Sequence, residues 1–122
     1  MWGFPLTIAE RIAGEIAAWP DVSVTPRGPR FVEFHVGRRE LGHLHGSHLA
    51  DITFPVRIRE QLVAAGRAML HHQHPESGWV SVPIRADADV EDIVALFRLS
   101  YERPWLSAGS NATPGPSGSG AS

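Results

Sequence analysis

Apolar and polar positions alternate along the chain with two periods, one helical and one extended. Ile8, Ile12 and Ile16, with Trp19, recur at helical spacing and predict a first helix from about Ile8 to Trp19. Thr7-Ile8-Ala9-Glu10 reads as a capping box, in which the Thr7 hydroxyl accepts from the Glu10 amide and the Glu10 carboxylate from the Thr7 amide. Pro20 stops the helix, and Val22 and Val24 alternate as a short strand before a turn over 26–29. Phe31 to Val36 has strand composition, Gly37-Arg38-Arg39 predicts a hairpin turn, and Glu40 to His45 forms the return strand, broken by Gly46-Ser47. Asp51 to Phe54 is a short extended piece. Thr53 is a candidate N-cap and Pro55 suits the first turn of a second helix, with Ile58, Leu62, Val63 and Ala65 buried and Gly66 as terminator. Met69 to His74 is predicted to return as a strand. Trp79 to Ile84 alternates, with Val80, Val82 and Ile84 on one face and Trp79 and Ser81 on the other. Pro83 lacks an amide donor and argues for an edge or an irregularity there. Asp89 is the candidate cap of a third helix whose inner face carries Val90, Ile93, Val94, Phe97 and Tyr101.

The order α-β-β-β-α-β-β-α predicts an α+β fold: an antiparallel or mixed sheet of about four or five strands with about three helices packed on one face. A single domain over 1–106 is expected. The stretch 107–122 contains only Ser, Gly, Ala, Pro, Asn and Thr and is expected to be a disordered tail.

Composition then narrows the chemistry. The chain has 122 residues, no cysteine and a formal charge of −2, and all eleven basic residues are arginine. Disulfides, iron–sulfur clusters, thiolate zinc sites and thiol catalysis are excluded, as are a lysine base and a Schiff base. The charge disfavours a broad polyanion-binding surface, so nucleic acid is not an expected partner. No run approaches the length that crosses a bilayer and the N-terminus carries no signal-peptide pattern, so a cytoplasmic protein without a membrane partner is expected. Arg38-Arg39 falls at a presumed hairpin tip, and Arg57 and Arg59 read as an exposed helix face.

Six of the seven histidines fall between His43 and His74. In Gly42-His43-Leu44-His45-Gly46, strand alternation puts His43 and His45 side by side, an arrangement that can hold one divalent ion. His71-His72-Gln73-His74 repeats the spacing, with His72 and His74 on one face. Four imidazoles, His43, His45, His72 and His74, are the candidate metal ligands, and Asp51 and Glu40 are carboxylate partners. Trp79 can form a pocket wall beside them, and Ser77 lies in the adjoining turn. The ligand-binding set is therefore His43, His45, His72, His74, Ser77 and Trp79. For catalysis the candidates are His43, His45, Asp51 and His72. Clustered imidazolium groups would repel one another near their ordinary pKa of about 6.5, which predicts a stability that responds to pH between 7.5 and 5.

Glu40 to Gly46, Asp51 to Pro55, His71-His72, His74 to Val80 and Leu96 to Tyr101, as an ordered set, resemble the small bacterial and fungal proteins of the luciferase-domain family. The resemblance spans roughly Phe31 to Arg103. The family's pattern falls on Gly42, His43, His45, Asp51, His71, His72, Ser77, Gly78, Trp79, Arg98 and Tyr101. It implies oxidative, light-emitting chemistry. The chain is too short for the barrel of about 250 residues used by flavin-dependent luciferases, and it carries no flavin or nucleotide signature. A divalent metal on the histidine face is the candidate cofactor, giving a small-ligand or metal-binding domain with metal-assisted oxidoreductase chemistry. The alternative is a non-catalytic interaction module whose histidines form a structural hydrogen-bond network. The sequence leaves open whether the chain is an enzyme, which ligand it takes and its oligomeric state.

Overall fold

The apolar stripes of the helices converge on one face of a single sheet. A computed structural model describes residues 5–71 and 73–102. The elements run α1 (Ile8–Ala17), β1 (Val22–Pro26), β2 (Phe31–Val36), β3 (Arg39–His45), β4 (Leu49–Thr53), α2 (Val56–Ala64), β5 (Met69–Leu70), β6 (Trp79–Pro83), a 3₁₀ turn (Asp87–Asp89) and α3 (Val90–Glu102). The six strands are all antiparallel, in the order β1-β2-β3-β4-β6-β5. The expected α+β class holds. The added strand is β4, which is long enough to pair with both β3 and β6.

Phe34, Ile52, Val80, Ile93, Leu96 and Phe97 are wholly buried where α1 and α3 cover the sheet, and Leu62 brings α2 to the same core. The capping box at Thr7 forms as expected, with hydrogen bonds of 2.9 and 3.0 Å. Gly66 ends α2 with φ of 75°: its amide donates to the Val63 carbonyl and the next amide to Leu62, the paired bonds of a Schellman motif. Thr53 does not cap α2. It belongs to β4, and Pro55 takes the N-cap position with no side-chain hydrogen bond. Asp89 caps backward rather than forward, its carboxylate accepting from the Arg85 and Ala86 amides before α3 begins. Ala65, expected on the buried face of α2, is exposed. Pro83 ends β6 beyond the reach of β5, which pairs only with Val80 and Ser81.

Two departures from simple alternation shape the opposite, helix-free face. The first is a bulge in β3. Phe34 pairs with Gly42 while His35 pairs with Glu40, so Leu41 is an extra residue on β3. Leu41 is wholly buried in the helix-side core, and the shift in parity brings Glu40 onto the face of His43. The second is the early end of β5. The strand expected over Met69 to His74 stops at Leu70, and the chain turns, with the His74 amide donating to the His71 carbonyl at 3.2 Å. Alternation therefore does not govern His71 and His74. No described helix is long and apolar enough to cross a membrane. The 107–122 tail lies outside the described residues, as does His72.

Candidate functional site

The site begins with three strand pairings. His43 stands opposite Asp51 across β3 and β4, and Asp51 stands opposite Ser81 across β4 and β6. His45 follows two residues after His43 on the same face. Asp51 is only 2% exposed and is the hub of the group. Its Oδ1 accepts from the Ser81 hydroxyl at 2.7 Å. Its Oδ2 lies 2.8 Å from His45 Nε2, 3.1 Å from His43 Nε2 and 3.5 Å from His71 Nε2.

On its other side, His43 Nδ1 donates to Glu40 Oε2 at 3.0 Å. The His43 ring is flanked by Phe31 and Trp79, with ring centroids at 4.6 and 5.1 Å. These side chains open on a cleft of about 650 Å³ that Leu49, Gln73 and His74 also line.

Burial acts to lower the His43 pKa. Hydrogen bonds and charge from Asp51 and Glu40 outweigh it, and the pKa lies above its ordinary 6.5. Burial of Asp51 would raise its pKa, yet His43, Ser81 and His45 together hold the carboxyl well below the usual carboxylate range. For His43 this reverses the expected mutual repulsion, because carboxylates rather than imidazolium groups face both of its ring nitrogens. A raised histidine pKa stabilises the fold fully below about pH 6.5 and loses that contribution as pH rises through the folded value. A depressed carboxyl stabilises it above about pH 3.8 and loses that contribution on acidification. Chelator-treated protein should therefore melt at a lower temperature at pH 9 than at pH 6, and melting curves that superimpose across that range would contradict the assignment.

The expected ligands separate in space. His43, His45 and Asp51 each offer a ligand atom within 4.8 Å of the others and could hold a metal ion. His74 is not in that group. Because β5 ends early, His71 points to Asp51 instead, and His74 stacks on His71 with centroids 5.4 Å apart. Ser77 does not line the cleft: its hydroxyl donates to the His74 carbonyl and accepts from the Trp79 amide, closing the turn. Trp79 forms the wall that alternation along β6 suggests.

Two arginines expected at the surface have structural partners. Arg39 donates to the Ser100 and Tyr101 carbonyls at the end of α3. Arg59 extends from α2 to the loop before β6, its Nη1 donating to the Pro75 and Ser77 carbonyls at 2.8 and 2.7 Å, and its side chain is only 11% exposed. Arg59→Ala should cost about 2 kcal/mol, since hydrogen bonds to a charged group are worth about 1.5–3 kcal/mol each. Hydrogen exchange of the 73–79 amides should accelerate in that variant, and unchanged protection there would show that the loop holds itself.

The residues missed by sequence reasoning are Ser81, His71 and Phe31. Ser81 carried a signal in its shared face with Trp79. His71 was marked only by the family pattern, since a turn places it, and Phe31 carried no signal, since its place depends on a pairing set elsewhere in the chain.

Fold and site together define a small α+β protein with a histidine–carboxylate centre on the open face of an antiparallel sheet. Residues 38–100 match the family model of the luciferase domain, and the chain belongs to the luciferase-domain family. No curated protein and no solved structure matches it.

Proposed function

We propose that the protein binds a divalent cation through His43 Nε2, His45 Nε2 and Asp51 Oδ2 and presents it to a small ligand in the cleft. The finer reading is a metal-assisted oxidation, in keeping with the chemistry that the family's name implies. The observation that carries the proposal is the proton count at His43. Glu40 and Asp51 face its two ring nitrogens, at 3.0 and 3.1 Å, and a carboxylate can only accept. Both nitrogens therefore need positive hydrogen, or a cation must replace the proton between Nε2 and Asp51.

The donor spacing suits that replacement. Ligands about 2.0–2.2 Å from one ion lie roughly 2.8–3.1 Å apart in an octahedral and roughly 3.3–3.6 Å apart in a tetrahedral arrangement, and the 2.8 and 3.1 Å between the imidazoles and Asp51 match the first. Two histidines and one carboxylate with open positions are the donor set of non-haem iron oxygenases, and imidazole also suits zinc, copper and nickel. A bound ion of this kind supplies Lewis acidity toward an oxygen of a ligand or of water. The chain's own residues prepare the place: Glu40 fixes the His43 ring through Nδ1, Ser81 anchors Asp51 through Oδ1, and Phe31 and Trp79 shield His43. The near-neutral charge of −2 supports a small molecule rather than a polyanion as partner.

A second reading, the structural network of an interaction module, is favoured by the same 2.8 and 3.1 Å distances, which also suit direct hydrogen bonds from protonated imidazoles. Calorimetric titration of tag-free, chelator-treated protein with zinc and with cobalt separates the two. The expected result is one ion per chain, lost in a His43→Ala, His45→Ala double variant. Less than about a tenth of an equivalent in the native protein would sink the metal reading.

A further inference from the structure

We propose that His71 is not a metal ligand but the hydrogen-bond donor that receives a monoanionic oxygen ligand at the cation's open position. This rests on the cation-binding reading above and adds the class of ligand to it.

The tautomer of His71 supplies the first reason. The Gln73 amide donates to His71 Nδ1 at 3.2 Å, so that nitrogen holds a lone pair and the neutral ring carries its proton on Nε2. Nε2 is the atom turned toward Asp51 Oδ2, 3.5 Å away. For Nε2 to coordinate a metal its hydrogen would have to move to Nδ1, where the Gln73 amide already donates, whereas His43 Nδ1 faces the Glu40 carboxylate and can keep a hydrogen. His71 also stands outside the set whose ligand atoms all lie within 4.8 Å of one another. Three protein ligands leave the coordination sphere open, the arrangement of sites that take an exogenous ligand rather than of closed structural ones.

Position supplies the second reason. His71 Nε2 and the two ligand imidazoles share Asp51 Oδ2 as a common neighbour and line the same cleft. An oxygen that enters the cleft to meet the cation therefore comes within reach of the Nε2–H. The turn that ends β5 at Leu70 places His71 there, and stacking against His74 holds the plane of its ring.

Charge selects the ligand. A divalent ion held by the one carboxylate of Asp51 keeps a single net positive charge, and the described lining of the cleft includes no arginine. One further negative charge can be met by the cation and a neutral N–H donor, whereas a phosphate dianion would bring a second charge with no partner. The walls, Phe31, Leu49 and Trp79, are apolar or aromatic. A carboxylate on an apolar body matches both features, and benzoate is a suitable probe.

The test uses full-length protein loaded with cobalt, whose visible bands report its coordination. Benzoate should shift those bands in the native protein, and phosphate should bind at least about tenfold more weakly. His71→Ala should leave cobalt affinity within about threefold and weaken benzoate about tenfold or more. His71→Gln, whose amide can return a donor near Nε2, should recover most of that loss, which a merely structural role would not. Equal benzoate affinity in native and His71→Ala proteins would overturn the proposal, as would phosphate binding as tight as benzoate. A loss of cobalt affinity in His71→Ala as large as that in His45→Ala would make His71 a ligand and also overturn it. Failure of the native protein to bind cobalt or zinc would remove the cation-binding reading itself, and this inference with it.

Discussion

Asp51→Ala should destabilise the protein by about 3 kcal/mol and abolish cation binding, the largest effect expected of any single change at the site. Asp51 lies on β4, between β3 and β6, and is 2% exposed. Its carboxylate is the acceptor for the Ser81 hydroxyl and for imidazole Nε2 of His43 and His45. Truncation leaves the buried Ser81 donor without this acceptor and removes the charge that favours protonated His43. Water has little room to replace it, since Ser81 is 5% exposed. A loss of about 3 kcal/mol corresponds to a fall in Tm of roughly 12 °C or more for a domain of this size. Asp51→Asn keeps the volume and one acceptor but turns an amide donor toward groups that are already donors. It should fall between the native protein and Asp51→Ala in stability while losing at least about 100-fold in cation affinity. Denaturant unfolding and calorimetric titration measure the two effects separately. If Asp51→Ala unfolds within about 0.5 kcal/mol of the native protein, the carboxylate is not the hub described above.

Gly42→Ala should be nearly as damaging, although it adds one methyl group and changes no charge. Gly42 lies at the β3 bulge and pairs with Ile52. A Cβ there would overlap the Asp51 carbonyl oxygen and come within 2.9 Å of the Phe97 ring. Neither neighbour yields easily. The carbonyl belongs to β4, and Phe97 is wholly buried in the helix-side core. Relief requires β3 and β4 to separate, at a cost of about 3 kcal/mol. The separation falls one residue from the pairing of His43 with Asp51, so cation affinity should drop about tenfold with it. Gly14→Ala provides the opposite sign. Gly14 lies within α1, with nothing within 4 Å of its would-be Cβ, and alanine there should add about 0.5–1 kcal/mol. A Gly42→Ala protein as stable as Gly14→Ala would mean that the bulge can relax without moving the site.

The legible part of the site is the part that depends on neighbouring residues. His43 and His45 share a face because any strand through Gly42 to Gly46 alternates with period two. Trp79 opposes Val80 and Val82 for the same reason. Glu40 broke the rule, since period two would send it to the face of Leu44. The bulge that moves it exists because Leu41 enters the core beneath α3, a choice made by packing. His71 took the place expected of His74 because β5 runs out of partners after Leu70, and alternation has no meaning in the turn that follows. Arg59 looked like a solvated helix residue because its partners, Pro75 and Ser77, are carbonyl groups whose positions no side-chain pattern records.

By itself the sequence determined three amphipathic helices, an α+β sheet domain, the paired imidazoles of His43 and His45, and chemistry restricted to imidazole and carboxylate by the absence of cysteine and lysine. These follow from local periodicity and from composition, which need no knowledge of the partner strand. Tertiary structure alone decided that Asp51 gathers three imidazoles and Ser81 around one carboxylate, that Glu40 supports His43, and that His71 rather than His74 faces the centre. Those contacts join residues up to 30 positions apart, and their geometry is set by strand register, by one extra residue on β3 and by the point at which an edge strand ends.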